Sequence, residues 1–137
     1  MSDAAALATG RCKVNEGFRP TKYTDTRGFL TIGYGFCIDA GISEYQASCL
    51  LDAQVHDAEA DVSNFDWYAS LDAVRQSVLI ELAFNMGIHK LQGFKNMLAA
   101  CSRADWQAAG DELRNSAWFG QVGQRGPLLV RLLTNGG

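Results

Sequence analysis

The chain has 137 residues, of which 47% are hydrophobic and only 2 are proline, and its formal net charge is −3. This composition excludes an intrinsically disordered chain, and no apolar run is long enough for a membrane span. A nucleic-acid partner is not expected either, because no basic stripe with interleaved aromatic residues is present. The length predicts one domain, residues 1–137, with a hydrophobic core.

The first predicted element is a helix over residues 3–15, with Asp3 as its N-cap. Its beginning lacks the basic segment and the apolar core of a signal peptide, so we expect synthesis in the cytoplasm. Glu16 follows the helix, and Gly17 is placed to end it.

A β-hairpin is predicted next. The segment Asp25–Gly28 has the residues of a type I turn, and aromatic and β-branched residues flank it at 22–24 and 29–34. Such a hairpin presents Asp25 and Thr31 from one small sheet.

Together with Glu16, these two residues form a candidate catalytic set. Two carboxylates and a hydroxyl that face one gap can hydrolyse a glycosidic bond, because one acid protonates the leaving oxygen and one base activates water. The alternative is that Glu16 and Asp25 are surface acids on an unrelated hairpin.

After a loop over residues 36–41, a long helix is predicted over residues 44–63. The pair Ser43 and Gln46 forms a capping box at its start. The segment from Asp39 to Asp72 has eight acidic residues and no Lys or Arg. These acids are interpreted as the solvated face of that helix.

The clearest helix follows, with Ser70 as N-cap and Gly87 at its end. A stripe of apolar side chains predicts that this helix is the centre of the core: Leu71, Val74, Val78, Leu79, Leu82 and Met86. Four further elements complete the chain: a helix over 94–101, a helix capped by Ser102, an aromatic turn over 117–119, and a helix from about Gln124 to Asn135 with Pro127 in its first turn.

The cysteines and histidines indicate no metal site. Cys12, Cys37, Cys49 and Cys101 show no paired spacing, so four free thiols are expected. The two histidines stand alone in the sequence. We therefore expect neither a metal nor a cofactor.

The spacing of the catalytic set resembles that of the phage-type lysozymes, the glycoside hydrolase family 24 of T-even and lambdoid phage endolysins. Eight residues separate Glu16 from Asp25, and five separate Asp25 from Thr31, which begins the motif Thr-Ile-Gly-Tyr-Gly. The segments 71–75 and 84–87 also resemble this family, so the likeness covers most of the chain.

The resemblance implies an α+β, lysozyme-like fold that is mostly helical, with a small β-hairpin lobe over a larger helical lobe. The small lobe would span about 16–42, and a connecting helix about 44–63. The helical lobe would span about 64–137 and include the first helix, 3–15.

The function implied is that of a monomeric muramidase without a cofactor. It would cleave the β-1,4 bond between N-acetylmuramic acid and N-acetylglucosamine in peptidoglycan, with inversion, for bacterial cell-wall lysis. By resemblance Glu16 is the general acid, Asp25 supports the positive charge of the transition state, and Thr31 holds the attacking water.

Three further residues are assigned binding or supporting roles by the resemblance. Asn85 matches a polar position that faces the cleft, and Tyr34 lies within the glycine-rich motif. Arg125 matches an arginine that pairs with the catalytic glutamate, although a surface arginine at a helix start is an equal alternative. Phe36 departs from the family, which often has a histidine there, and the loop over 36–43 is short.

Two other functions remain open. One is a non-catalytic cell-wall-binding or phage tail structural module that keeps the fold, and the other is a related enzyme that cleaves chitin or chitosan. The sequence leaves open whether the protein is a free endolysin, a tail component or a toxin domain.

Overall fold

Eight α-helices and one three-stranded antiparallel sheet form the structure, a computed structural model that describes residues 1–137. The predicted α+β, mostly helical fold class is confirmed. The helices are α1 (Asp3–Glu16), α2 (Glu44–Val62), α3 (Ala73–Met86), α4 (Ile88–Gln92), α5 (Lys95–Ser102), α6 (Trp106–Arg114), α7 (Ala117–Gln121) and α8 (Arg125–Asn135). The strands are β1 (Arg19–Thr24), β2 (Leu30–Gly33) and β3 (Phe36–Cys37).

The chain divides into two compact units, Met1–Ser48 and Cys49–Gly137. The first unit contains α1, the sheet and the start of α2, and the second contains the rest of α2 and all later helices. The grouping of the first helix with the helical lobe stays a prediction.

The first helix is capped by Ser2 and not, as predicted, by Asp3. The Ser2 side chain accepts a hydrogen bond from the Ala5 N–H at 3.1 Å, so Asp3 is already helical. The negative charge of the Asp3 carboxylate in the first turn still stabilises the helix, because it interacts favourably with the positive end of the helix dipole. At the other end, Gly17 has φ 72° and donates its N–H to the Lys13 carbonyl at 3.0 Å, as expected for a helix stop.

The sheet has the order β1-β2-β3, so β2 is central. The hairpin is confirmed, with Thr31 of β2 opposite Tyr23 of β1 and an irregularity in the register between Arg19 and Tyr23. The third strand was predicted as loop. It is only two residues long and pairs Cys37 with Thr31, which leaves too little sequence for a period-two pattern to mark it.

The long helix α2 is confirmed to within one residue of its predicted end. Its capping box is formed as expected, because the Gln46 N–H donates to Ser43 Oγ at 3.1 Å and the Ser43 N–H donates to Gln46 Oε1 at 2.9 Å. No helix of the chain is both long enough and apolar enough to cross a membrane.

Two further predicted N-caps, besides Asp3, were wrong. Helix α3 is capped by Asp72, whose carboxylate accepts the Arg75 N–H at 3.1 Å, while Ser70 ends a preceding short 3₁₀ helix. Helix α6 is capped by Asp105, and Ser102 instead donates to a carbonyl inside α5. In each case an aspartate nearer the helix competed with the predicted serine.

The second unit, which is helical, contains the hydrophobic core. Val78, Leu79 and Leu82 of α3 are fully buried, which confirms the predicted stripe at its centre. Each such side chain contributes about 1.5–3 kcal/mol of burial free energy. Helix α4 was not predicted, and it supplies one more of the buried residues, Leu91.

The four cysteines are free thiols, as expected. Cys101 is buried in the core, and this burial raises the pKa of its thiol to about 12. It is therefore a packing residue and not a reactive one.

Candidate active site

Glu16 is the last residue of α1, and Gly17 turns the chain immediately after it. The side chain is exposed and forms no hydrogen bond or ion pair with the protein. Both carboxylate oxygens are therefore free to exchange a proton with a ligand.

Gly35, in the turn between β2 and β3, lies against this carboxylate. The glycine-rich end of the motif thus meets the end of α1, and both belong to the first unit.

Asp25 is held firmly by the hairpin turn. Its Oδ1 accepts the backbone N–H of Phe29 at 2.8 Å and that of Arg27 at 2.9 Å. The bond from Phe29, aided by the N–H and charge of Arg27 and opposed by partial burial, holds the pKa of the Asp25 carboxyl below its ordinary value. Asp25 is therefore ionised at neutral pH, and its Oδ2 forms an ion pair with Arg27 Nε at 3.9 Å.

Thr31 is almost completely buried, with 3% of its surface exposed. Its hydroxyl donates to the Phe29 carbonyl at 2.9 Å. Phe29 therefore binds Asp25 through its N–H and Thr31 through its carbonyl, so one residue of the backbone fixes both side chains. Sequence reasoning missed this role because only the main chain of Phe29 takes part.

Tyr34 lies beside the end of α1. Its ring centroid is 5.6 Å from that of Phe18, and Lys13 Nζ is 5.9 Å from the Tyr34 centroid. Tyr34, Glu16, Asp25 and Thr31 all belong to the first unit.

Asn85 belongs to the second unit and is engaged by a buried tryptophan. Its side-chain oxygen accepts the indole N–H of Trp118 at 2.8 Å. The amide NH₂ has no protein partner and can donate to a ligand. The sequence analysis placed Trp118 in an aromatic turn without assigning it a part in the site.

Arg125, at the start of α8, forms an ion pair with Glu81 of α3, with Nε 3.0 Å from Oε1. Sequence reasoning did not single out Glu81. Its position four residues before Asn85 places both side chains on one face of α3, and this spacing is the signal that could have found it. The pairing of Arg125 with Glu16 that the resemblance suggests stays a prediction.

The His, Cys, Asp and Glu side chains form no cluster of three or more that could hold a metal ion.

Comparisons with known proteins give a family match and several relatives, three of which are described here. The family model described as phage lysozyme matches residues 13–131. The chain is similar to probable T4-type lysozymes 1 and 2 of Dictyostelium discoideum, at 26% and 24% identity, over 90% of this chain and 91% of each relative. It is also 26% identical to the pre-baseplate central spike protein Gp5 of Enterobacteria phage T4, over 89% of this chain but 26% of that protein.

Proposed function

Because the chain belongs to the phage lysozyme family, we propose that it is a muramidase. Family membership supports a glycoside hydrolase. The proposed substrate is the glycan strand of peptidoglycan, cleaved at the β-1,4 bond between N-acetylmuramic acid and N-acetylglucosamine. The observation that carries the proposal is the contrast between an unpartnered Glu16 and an Asp25 whose charge is held in place by the hairpin.

Glu16 is the proposed general acid. A general acid must reach the leaving oxygen and give up its proton there, so it needs an oxygen that no protein group occupies. Glu16 meets that requirement, since neither of its oxygens has a hydrogen-bond partner.

Asp25 is the proposed carboxylate that stabilises the positive charge on the sugar in the transition state. Its lowered pKa keeps it ionised at neutral pH. The two N–H bonds to Oδ1 fix its orientation, which leaves Oδ2 for the sugar or for a water.

Thr31 is proposed to hold the attacking water together with Asp25. Its hydroxyl proton is already donated to the Phe29 carbonyl. The remaining lone pairs can accept only, so a water between Thr31 and Asp25 would direct both its protons at the protein and its oxygen at the sugar. Thr31 is only 3% exposed, so a water could reach its hydroxyl only through that small open part of the side chain. A water attack of this kind inverts the anomeric centre.

Asn85, Arg125 and Tyr34 are proposed to bind or support the substrate. The free NH₂ of Asn85 suits the hydroxyl and carbonyl oxygens of an N-acetylated sugar. Tyr34 offers an aromatic ring of the kind on which sugar faces pack. Arg125 carries a guanidinium whose charge Glu81 partly balances.

Glu16→Gln tests the assignment because it retains the side-chain shape and removes the acidic proton. We expect lysis of chloroform-treated Gram-negative cells to slow by about 10²–10⁴-fold, the usual contribution of a general acid. Thermal stability should be unchanged, since Glu16 has no partner to lose. Glu44→Gln, an exposed glutamate at the start of α2, is the matched control. Near wild-type lysis by Glu16→Gln would refute the role.

A non-catalytic wall-binding or tail structural module is the second candidate. The observation that favours it is the similarity to a phage protein named as a central spike protein. Incubation of the protein with purified sacculi distinguishes the two candidate functions. The module would sediment with sacculi and release no reducing ends, whereas the muramidase would release them.

A further inference from the structure

Gly35 approaches the proposed acid more closely than any side-chain-bearing residue could. A β-carbon built on Gly35 would lie 2.7 Å from Oε2 and 3.1 Å from Cδ of Glu16. Real β-carbons essentially never come within 3.0 Å of another heavy atom. The Glu16 carboxylate therefore occupies the space that a side chain at position 35 would fill.

Backbone conformation is not the only reason for a glycine at position 35. Gly35 has φ +78°, a region that favours glycine, but Gly41 has φ +73° and meets nothing within 4 Å. Both positions favour glycine because of their positive φ. Only Gly35 must also lack a side chain, because the Glu16 carboxylate lies in the space that a β-carbon would fill.

The contact matters because no polar group of the protein fixes the Glu16 carboxylate. It accepts no hydrogen bond and forms no ion pair, so its position depends on the surfaces around it. We infer that Gly35 is a positioning residue whose bare α-carbon sets where the Glu16 carboxylate lies for proton transfer. This inference depends on the proposed role of Glu16 as the acid.

A methyl group at position 35 would act mainly on the acid and little on the fold. The obstructed atoms are the far end of a flexible side chain, which can rotate away at small cost. The rotated carboxylate would then be displaced from the leaving oxygen. A displacement of about 1 Å can lower a rate by about 100-fold.

Gly35→Ala tests this, with Gly41→Ala as the matched control for the strain of alanine at positive φ. We expect kcat on dye-labelled Gram-negative sacculi to fall by about 10–100-fold in Gly35→Ala, with apparent KM within about twofold of wild type. Gly41→Ala should retain wild-type kcat. Gly35→Asn adds the same β-carbon with less backbone strain, since asparagine tolerates this region, and should also lose kcat.

A second measurement reads the contact without relying on activity. With ¹³C-labelled glutamate carboxyls, the Glu16 resonance is identified by its loss in Glu16→Gln. It should shift in Gly35→Ala and stay in place in Gly41→Ala. If the wild type had no activity but the Glu16 resonance still shifted in Gly35→Ala, the proposed muramidase activity would be refuted. The contact between Gly35 and Glu16 would then still be established. An active wild type with unchanged kcat in the folded Gly35 variants, or an unmoved resonance, would refute the inference alone.

Discussion

Trp118 donates its indole N–H to the side-chain oxygen of Asn85 over 2.8 Å. Trp118 is only 2% exposed, so its N–H needs a partner inside the protein. The bond orients the Asn85 amide and leaves its NH₂ as the group available to a ligand. A hydrogen bond therefore joins the hydrophobic core of the second unit to a proposed binding residue.

Asn85→Asp should separate these two roles. Aspartate retains an oxygen for Trp118 but has no NH₂, so a hydrogen bond to the sugar is lost while the fold persists. Loss of one such bond, about 1 kcal/mol, should raise the apparent KM for sacculi roughly five- to tenfold. Trp118→Phe, by contrast, should lower the free energy of unfolding by about 1–3 kcal/mol. A wild-type KM in Asn85→Asp would exclude Asn85 from binding.

The stereochemistry of the product tests the proposed water between Thr31 and Asp25. A hydroxyl beside a carboxylate orients a water, and attack by that water gives inversion, so the α-anomer should be released first. Proton NMR of a soluble glycan-strand digest, recorded before mutarotation, detects the first anomer. If the β-anomer came first, a covalent intermediate would replace the water and Thr31 would lose its assigned role.

Asp72 should contribute to stability in a pH-dependent way. It pairs with Arg75 at 3.1 Å and accepts the Gly137 N–H at 3.2 Å. Burial raises its pKa, but the hydrogen bonds and charge of Arg75 outweigh that effect, so the pKa lies below its ordinary value. A lowered pKa stabilises the fold above the unfolded pKa of about 3.9, and this stability is lost as pH falls through the folded pKa.

Asp72→Asn should therefore lower the free energy of unfolding at pH 7 and lose less stability than wild type on acidification below about pH 4. Urea unfolding at a series of pH values measures both effects. Asp66→Asn, with no pairing of its own, is the control and should follow the wild-type curve. Parallel curves for wild type and Asp72→Asn would contradict the prediction.

Gly110 should be indispensable for the packing of α6 against α8. A β-carbon there would collide with the buried Thr134 Oγ1. Alanine is about 1 kcal/mol better than glycine in a helix, but the collision should outweigh that gain. Gly110→Ala should lower the melting temperature, and adding Thr134→Ala should recover part of the loss.

Gly120→Ala is the control for this substitution. Gly120 lies in α7, and a β-carbon added there would meet nothing within 4 Å, so only the helix preference acts. This variant should be as stable as wild type or more so. Equal stability of both alanine variants would show that the packing of α6 and α8 can adjust.

Predictions from sequence held where the interacting groups are close in the chain. The Ser43 and Gln46 capping box and the Asp25 turn each join residues within four positions, so composition and spacing specify them. The predictions from sequence were wrong where two nearby residues could each be the N-cap, as Ser70 and Asp72 could before α3. The choice between such residues depends on how the rest of the helix packs.

The sequence by itself determined the fold class, the hairpin and the spacing of Glu16, Asp25 and Thr31. These features depend on local backbone preferences and on apolar periodicity, which are properties of short segments. Only the tertiary structure decided that Glu16 lies against Gly35, that Trp118 binds Asn85 and that Arg125 pairs with Glu81. Each of these contacts joins residues from different elements, and their distances follow from packing, which no short segment specifies.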